Sequence, residues 1–286
     1  MLLLAGTNAY CQIDSVASAF KYMQKSELDK AKVAIDAAVN NEETSVQAQT
    51  WHIRGFIYKE LYKKLEINNK NSALRLESFS SFRQSIKLDV ENEFDNKPSI
   101  KFLAAGYFND AASTLLIDTL DERDYLIALA NYEKYKEGML IVDPATNFIE
   151  NDSYIKLNLA NIYYKTYERD PIKNEQFFEK AKDLYLKVLE ADSNNERANY
   201  HLGILYYNKA VNIIKDLDYD MDMFALMEIQ EQTLEIFKQS LPFMEKAYSL
   251  NPQKEQTLKG LMGIYYSLND EKKSNEMKDK LDKLEK

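Results

Sequence analysis

Cysteine, proline, glycine and histidine are all scarce in this chain. Its 286 residues include one Cys, five Pro, seven Gly and two His. A lone cysteine, Cys11, excludes an intramolecular disulfide and a zinc site built on several Cys ligands. So little Gly and Pro argues against turn-rich β folds and for helices, which the abundant Leu, Ala, Lys, Glu and Tyr favour in their own right. No basic block offsets the net charge of −9, so the stripe of cations that nucleic-acid phosphates require is missing, and no nucleic-acid partner is expected. No apolar run reaches the roughly 20 residues of a transmembrane helix. The glycine-rich phosphate cradles G-x-G-x-x-G and G-x4-G-K-[ST] and the nucleophile elbow G-x-S-x-G are absent.

The N-terminus reads "MLLLAGTNAYCQ". Residues 1–11 carry no charged side chain, and Ala9 stands two places before Cys11. That resembles the tail of a secretory signal peptide cut before Gln12. Residues 1–11 are therefore expected to be a signal-peptide remnant and the protein to be exported to the periplasm or cell envelope. Without such a signal it would be cytoplasmic.

What the chain does have is a repeat. A small residue followed three places later by Tyr occurs at Ala19/Tyr22, Gly55/Tyr58, Ala104/Tyr107, Ala160/Tyr163, Gly203/Tyr206 and Gly263/Tyr266, each inside a segment of helical apolar period. Gly within a helix costs about 1 kcal/mol relative to Ala, so a small residue at each equivalent place predicts that another helix approaches closely there. A second amphipathic segment follows each copy. Its pattern is small-x3-large-x2-small, clearest at Ala31/Ile35/Ala38, Ser78/Phe82/Ser85, Ala181/Tyr185/Val188 and Ser240/Met244/Ala247. Several end on stop signals such as "IVDP" at Ile141–Pro144 and "SLNP" at Ser249–Pro252.

Paired helices with these patterns resemble tetratricopeptide repeats. Trp51, Gly55 and Tyr58 match the family's first-helix pattern. Leu202, Gly203 and Tyr206 match it again, and Ala247 with Pro252 matches the end of a second helix. The copies are spaced 36, 49, 56, 43 and 60 residues apart, against 34 in the family, so the helices or connections must be longer. The expected fold is all-α, an α-solenoid of about six antiparallel helix pairs in a single domain over 12–286. First helices are predicted near 13–25, 46–67, 98–117, 151–168, 195–217 and 253–268. Second helices are predicted near 28–41, 72–90, 121–142, 174–191, 223–250 and 271–285, with Pro242 kinking or splitting the fifth. The last helix reads as a cap. Met277, Leu281 and Leu284 form its apolar stripe, and Glu276–Lys280, Asp279–Lys283 and Asp282–Lys286 are i,i+4 pairs on its wet side.

Chemistry is hard to assemble from these residues. His52 and His201 fall at nearly equivalent places in different first helices, too far apart for a shared metal or a catalytic dyad. "DLDYDMD" at Asp216–Asp222 alternates carboxylates like the start of a calcium loop. Met221 stands where Gly belongs, however, and Met227 where the bidentate Glu belongs, so Asp caps on the next helix are the expected role. Met221, Met223, Phe224 and Met227 are expected to fill core gaps, with an adaptable partner surface as the alternative. No catalytic residue, cofactor or metal is assigned.

The resemblance implies a concave groove lined by first-helix residues beside the small position. Here those are His52, Phe56, Lys59, Lys101, Phe108, Asn161, Tyr164, Tyr207 and Asn208. Amides and rings so placed would suit an extended peptide. Some family members clamp a C-terminal carboxylate with a Lys/Asn/Arg set. Lys101 and Asn161 each fit one slot, but the other basic slots are not filled, so that ligand is not inferred. The expectation is a non-enzymatic scaffold for a protein or peptide partner. The alternative is an envelope protein that binds a glycan or small molecule on the aromatic face.

Overall fold

The computed structural model describes residues 6–117, 122–217 and 220–284. Among the described residues there are twelve α-helices and no strand. They are α1 (Gly6–Gln24), α2 (Leu28–Val39), α3 (Ala48–Leu61), α4 (Ala73–Leu88), α5 (Lys97–Thr114), α6 (Glu122–Val142), α7 (Ile149–Arg169), α8 (Glu175–Ala191), α9 (Glu196–Lys215), α10 (Met223–Leu250), α11 (Glu255–Ser267) and α12 (Glu271–Leu284). A π-helical turn, Tyr62–Glu66, extends α3. Consecutive helices pack as six adjacent pairs, α1 with α2 through α11 with α12. Part of the expected leader (residues 1–5), Asp218 of the acidic run and the Lys286 end of the Asp282 pair lie outside the described residues.

The helix ends have local causes. The side chains of Ser72, Asn195 and Asp222 accept backbone N–H bonds at the first turns of α4, α9 and α10. The tight turns after α1 and α11 place Ser26 and Asn269 at φ 59°, and the following amides reach back to the Tyr22 and Tyr265 carbonyls. Contacts divide the chain into two compact units of three pairs each. One holds Met1–Thr114 with Asp121–Thr146, the other Leu115–Leu120 with Asn147–Lys286.

The small-x3-large-x2-small pattern of the second helices is the core. All twelve residues of its four clearest copies are buried, and Ile35, Phe82, Tyr185 and Met244 are fully inaccessible. In α3–α4 the Ser78 hydroxyl donates to the Gly55 carbonyl (2.9 Å) and Ser85 to the Ala48 carbonyl (3.0 Å), which fixes an antiparallel register. A Cβ on Gly55 would lie 2.7 Å from the Phe82 ring, so only glycine admits that ring. The α9–α10 pair repeats the device: Ser240 donates to the Gly203 carbonyl (2.7 Å), and Met244 occupies the space a Gly203 side chain would need. The Met244 methyl also lies where a Cβ on Gly260 of α11 would fall. One second-helix side chain thus joins its own first helix to the next.

Several expectations are corrected. The split expected at Pro242 does not occur, and α10 continues past it as one helix. Pro242 and Lys238 are both exposed, so the carbonyl that loses its amide partner faces water and the helix survives. Tyr266, in the sixth small-x-x-Tyr copy, does not pack as Tyr58 and Tyr107 of earlier copies do. It is 72% exposed, and Tyr265 takes the buried place and donates to Glu245 (2.6 Å), because α11 turns Gly260 rather than Gly263 toward Met244. Met223, Phe224 and Met227 are 75%, 86% and 60% exposed rather than core, since α10 first buries a side chain at Thr233. Asp222 caps α10, as expected for the acidic run. On α12, Met277 and Leu281 are buried but Leu284 is exposed, and Lys280 donates across to the Tyr248 hydroxyl (2.9 Å) instead of pairing with Glu276.

Gly55→Ala tests the close approach. The overpacking cost of about 1–3 kcal/mol should outweigh the roughly 1 kcal/mol gain in helix propensity. Ser78→Ala should cost about 1 kcal/mol by leaving the Gly55 carbonyl unpaired. The sole tryptophan, Trp51, lies one turn from Gly55 and reports unfolding of this unit in urea. A Gly55→Ala midpoint at or above wild type would refute the contact.

Candidate binding site

The expected groove residues divide between the two units. In the first unit most are already engaged. His52 Nδ1 bonds the Asn96 side-chain oxygen (2.7 Å), and its ring packs against Phe56 and Phe94. Lys59 lies over the Phe56 ring and donates to the Ser99 hydroxyl (3.0 Å). Phe108 packs on Tyr132 and Tyr135, and Lys101 is exposed.

In the second unit Asn161, Tyr164 and Asn208 come together on the facing sides of α7 and α9. The Asn208 amide donates to the Tyr164 hydroxyl (2.5 Å) and to Glu168 (3.3 Å), and Asn212 donates to the other Glu168 oxygen (3.3 Å). Burial pushes the Glu168 carboxyl up despite those two amides, and burial with the nearby Glu168 charge pushes the Tyr164 phenol well above its usual value. Tyr207 stands apart from this ladder. Its ring contacts Phe237, and its hydroxyl lies 2.6 Å from where a Gly263 Cβ would be, so it packs α9 against α10 and α11.

Beside the ladder lies a cavity of about 290 Å³. Asn158, Asn161, Ile162 and Lys165 line it from α7 at the i, i+3, i+4 and i+7 spacing of one helix face, with Tyr164 beside them. Arg197 and His201, one turn apart on α9, line the opposite side, and Leu115–Ile117 completes it. Arg197 is exposed and has no carboxylate partner among the described residues. His201 stacks on Tyr185 with the rings 6° from parallel, and the Tyr185 hydroxyl donates to the Asn161 side-chain oxygen (2.6 Å). The buried side chain that joins α7 to α8 therefore also orients two residues of the cavity wall. That bond uses the Asn161 carbonyl and leaves its amide group to donate. Burial, helped by the charges of Arg197 and Lys254, lowers the His201 pKa from 6.5 to about 4. The imidazole is thus neutral, and the cavity carries its positive charge on Arg197 and Lys165. Donors and cations converge here, with an apolar strip on one side.

The sequence reading sets His201 aside as too far from His52 to share a site, and it misses Arg197. The signal for both was their i, i+4 spacing on the face of α9 that looks toward Asn161.

No protein-family model and no curated protein matches the chain. Solved structures of helical proteins do. One is PilW, described as a widely conserved type IV pilus biogenesis factor: 15% identity, TM-score 0.34, 95% of this chain and 92% of that one covered. Two are monomeric mutants of IFIT1. The first, with m7Gppp-AAAA, has 15% identity and a TM-score of 0.36, with 92% of this chain and 58% of that one covered. The second, with Gppp-AAAA, has 14% identity and a TM-score of 0.36, with 93% and 68% covered.

The neutral imidazole has a measurable consequence. His201 is depressed in the folded state, so the unfolded chain binds its proton more tightly. Stability is then lost as pH falls from 6.5 toward about 4. At 1.36 kcal/mol per pKa unit this amounts to roughly 3 kcal/mol. His201→Gln removes it, so in urea unfolding the variant should gain on wild type by about that amount across the window. A wild-type-minus-variant difference that stays flat with pH would show that the imidazole is not buried neutral.

Proposed function

We propose that this chain is a non-catalytic binding protein that takes an extended polypeptide on the α7–α9 face, with an acidic side chain inserted beside Arg197. The observation that carries this reading is the convergence of an uncovered guanidinium, a neutral imidazole and two Asn side chains on one cavity with an apolar strip, Leu115–Ile117. A carboxylate gains a charge-assisted bond from Arg197, and the amide of Asn161 is free to meet a backbone carbonyl. The cavity volume suits one side chain rather than a whole drug-sized ligand. Neither His201, which is neutral with a low pKa, nor the raised phenols supplies an activated nucleophile or a base poised near neutrality. The acidic chain as a whole disfavours nucleic acid.

The six pairs are further read as divergent tetratricopeptide repeats. Support comes from Gly55 with Ser78 and Phe82, and Gly203 with Ser240 and Met244, which build the same contact in both units.

Synthetic heptapeptides with a central Asp, Glu, Lys or Leu, followed by fluorescence anisotropy, test the site. The acidic series should bind best. Arg197→Glu should weaken it about tenfold, near 1.4 kcal/mol, whereas Lys101→Glu in the other unit should not. A single-stranded RNA of equal length should not bind. Equal affinity for acidic and basic peptides, or indifference to Arg197→Glu, would overturn the assignment.

A further inference from the structure

Among the described residues α10 is the longest helix, and its first ten residues have no core. Its inward stripe begins at Thr233 and continues through Ile236, Phe237, Ser240, Met244 and Ala247. Residues 223–232 therefore form an overhang of about 15 Å, at 1.5 Å rise per residue. Such a segment would normally be polar. This one exposes Met223, Phe224, Leu226 and Met227 on adjoining positions of a single turn, at 75%, 86%, 47% and 60%. Isolated helices of this length are marginal in water, and the Asp222 cap, which accepts from the Phe224 and Ala225 amides, compensates only in part.

The charge around the patch selects its occupant. Between Asp216 and Phe237 the chain has seven carboxylates and no Lys, Arg or His. A second copy of the same overhang would bring like charges together. An anionic lipid surface would be repelled in the same way. The complement is a helix with one apolar stripe and basic flanks, and methionines adapt well to such a stripe.

We propose that the α10 overhang is a docking surface for a basic amphipathic helix of a partner protein. The partner's apolar stripe covers Met223, Phe224, Leu226 and Met227, and its Lys and Arg side chains pair with Glu228 and Glu231. This surface is separate from the α7–α9 cavity and does not depend on it.

The probe is a synthetic Leu/Lys helix of about 18 residues, long enough to span the overhang, with a Leu/Glu counterpart. Anisotropy is read with the full chain at about 150 mM salt, where weak surface attraction is screened. The Leu/Lys helix should bind and the Leu/Glu helix should not. Phe224→Ser with Met227→Ser, and separately Glu228→Lys with Glu231→Lys, should each weaken binding about tenfold or more. Val33→Ser with Val90→Ser, and Glu271→Lys with Glu276→Lys, make the same changes at other exposed sites and should leave it within about twofold. Equal losses in the control pairs would reduce the binding to general charge and overturn the proposal. It would also fall if Phe224→Ser with Met227→Ser dissolved a dimer in sedimentation, or abolished adsorption to phosphatidylcholine vesicles while peptide binding was unchanged.

Discussion

The architecture depends on one contact made more than once: a large side chain in the middle of a second helix, seated where the first helix carries a small residue. Phe82 over Gly55 and Met244 over Gly203 are the plainest cases. The small residue lets the two backbones approach, and a serine one turn earlier on the second helix ties itself to the glycine carbonyl. The same side chain also reaches the following first helix. Ile35 shares a buried cluster with Ile53 and Ile57 of α3, and Phe82 shares one with Ile100 of α5; Tyr185 stacks on His201 of α9, and Met244 lies against Gly260 of α11. Interiors are packed to crystal density, so a residue with neighbours on both sides fixes the spacing of successive pairs.

The proposed binding face follows from that arrangement. Once the second helices hold the core, the remaining face of α7 and α9 is released from packing and can carry polar groups. Tyr185 connects the two roles, since it has the ring of a core residue and a hydroxyl that reaches Asn161. The ladder from Tyr164 through Asn208 to Glu168 and Asn212 holds the two first helices together and leaves Arg197 as the charge open to a partner. The overhang of α10 exists for a related reason: its core stripe stops at Thr233 while its capped helix continues, so the extra turns project apolar residues into solvent.

Much of this was legible in the sequence, because the apolar period and the small-x3-large-x2-small pattern are direct consequences of the packing. The span 223–250 was read as a second-helix segment that Pro242 would kink or split, and its bounds hold for a helix that continues past Pro242. What was not legible depended on angle around a helix. Tyr265 and Tyr266 are adjacent letters of the same type, and only the placement of Gly260 under Met244 decides which is buried. Tyr207 and Tyr164 occupy the same repeat position, yet one is packed by Gly263 and the other faces the ladder. Met223, Phe224 and Met227 looked like core because apolar content does not reveal where a neighbouring helix ends. The neutral state of His201 arises from burial and two cations, and Lys254 lies too far along the chain for a local pattern to include it.

The most direct test of the central contact is a double-mutant cycle between Gly203 and Met244, followed by urea unfolding. Gly203→Ala alone should destabilise by about 1–3 kcal/mol through overpacking, and Met244→Ala alone by about 2–5 kcal/mol through the cavity it leaves. Together they should relieve one another, since the new methyl enters the vacated space, giving a coupling of about 1–2 kcal/mol. Losses that add within about 0.5 kcal/mol would mean that the two residues do not share that space, and would contradict the account.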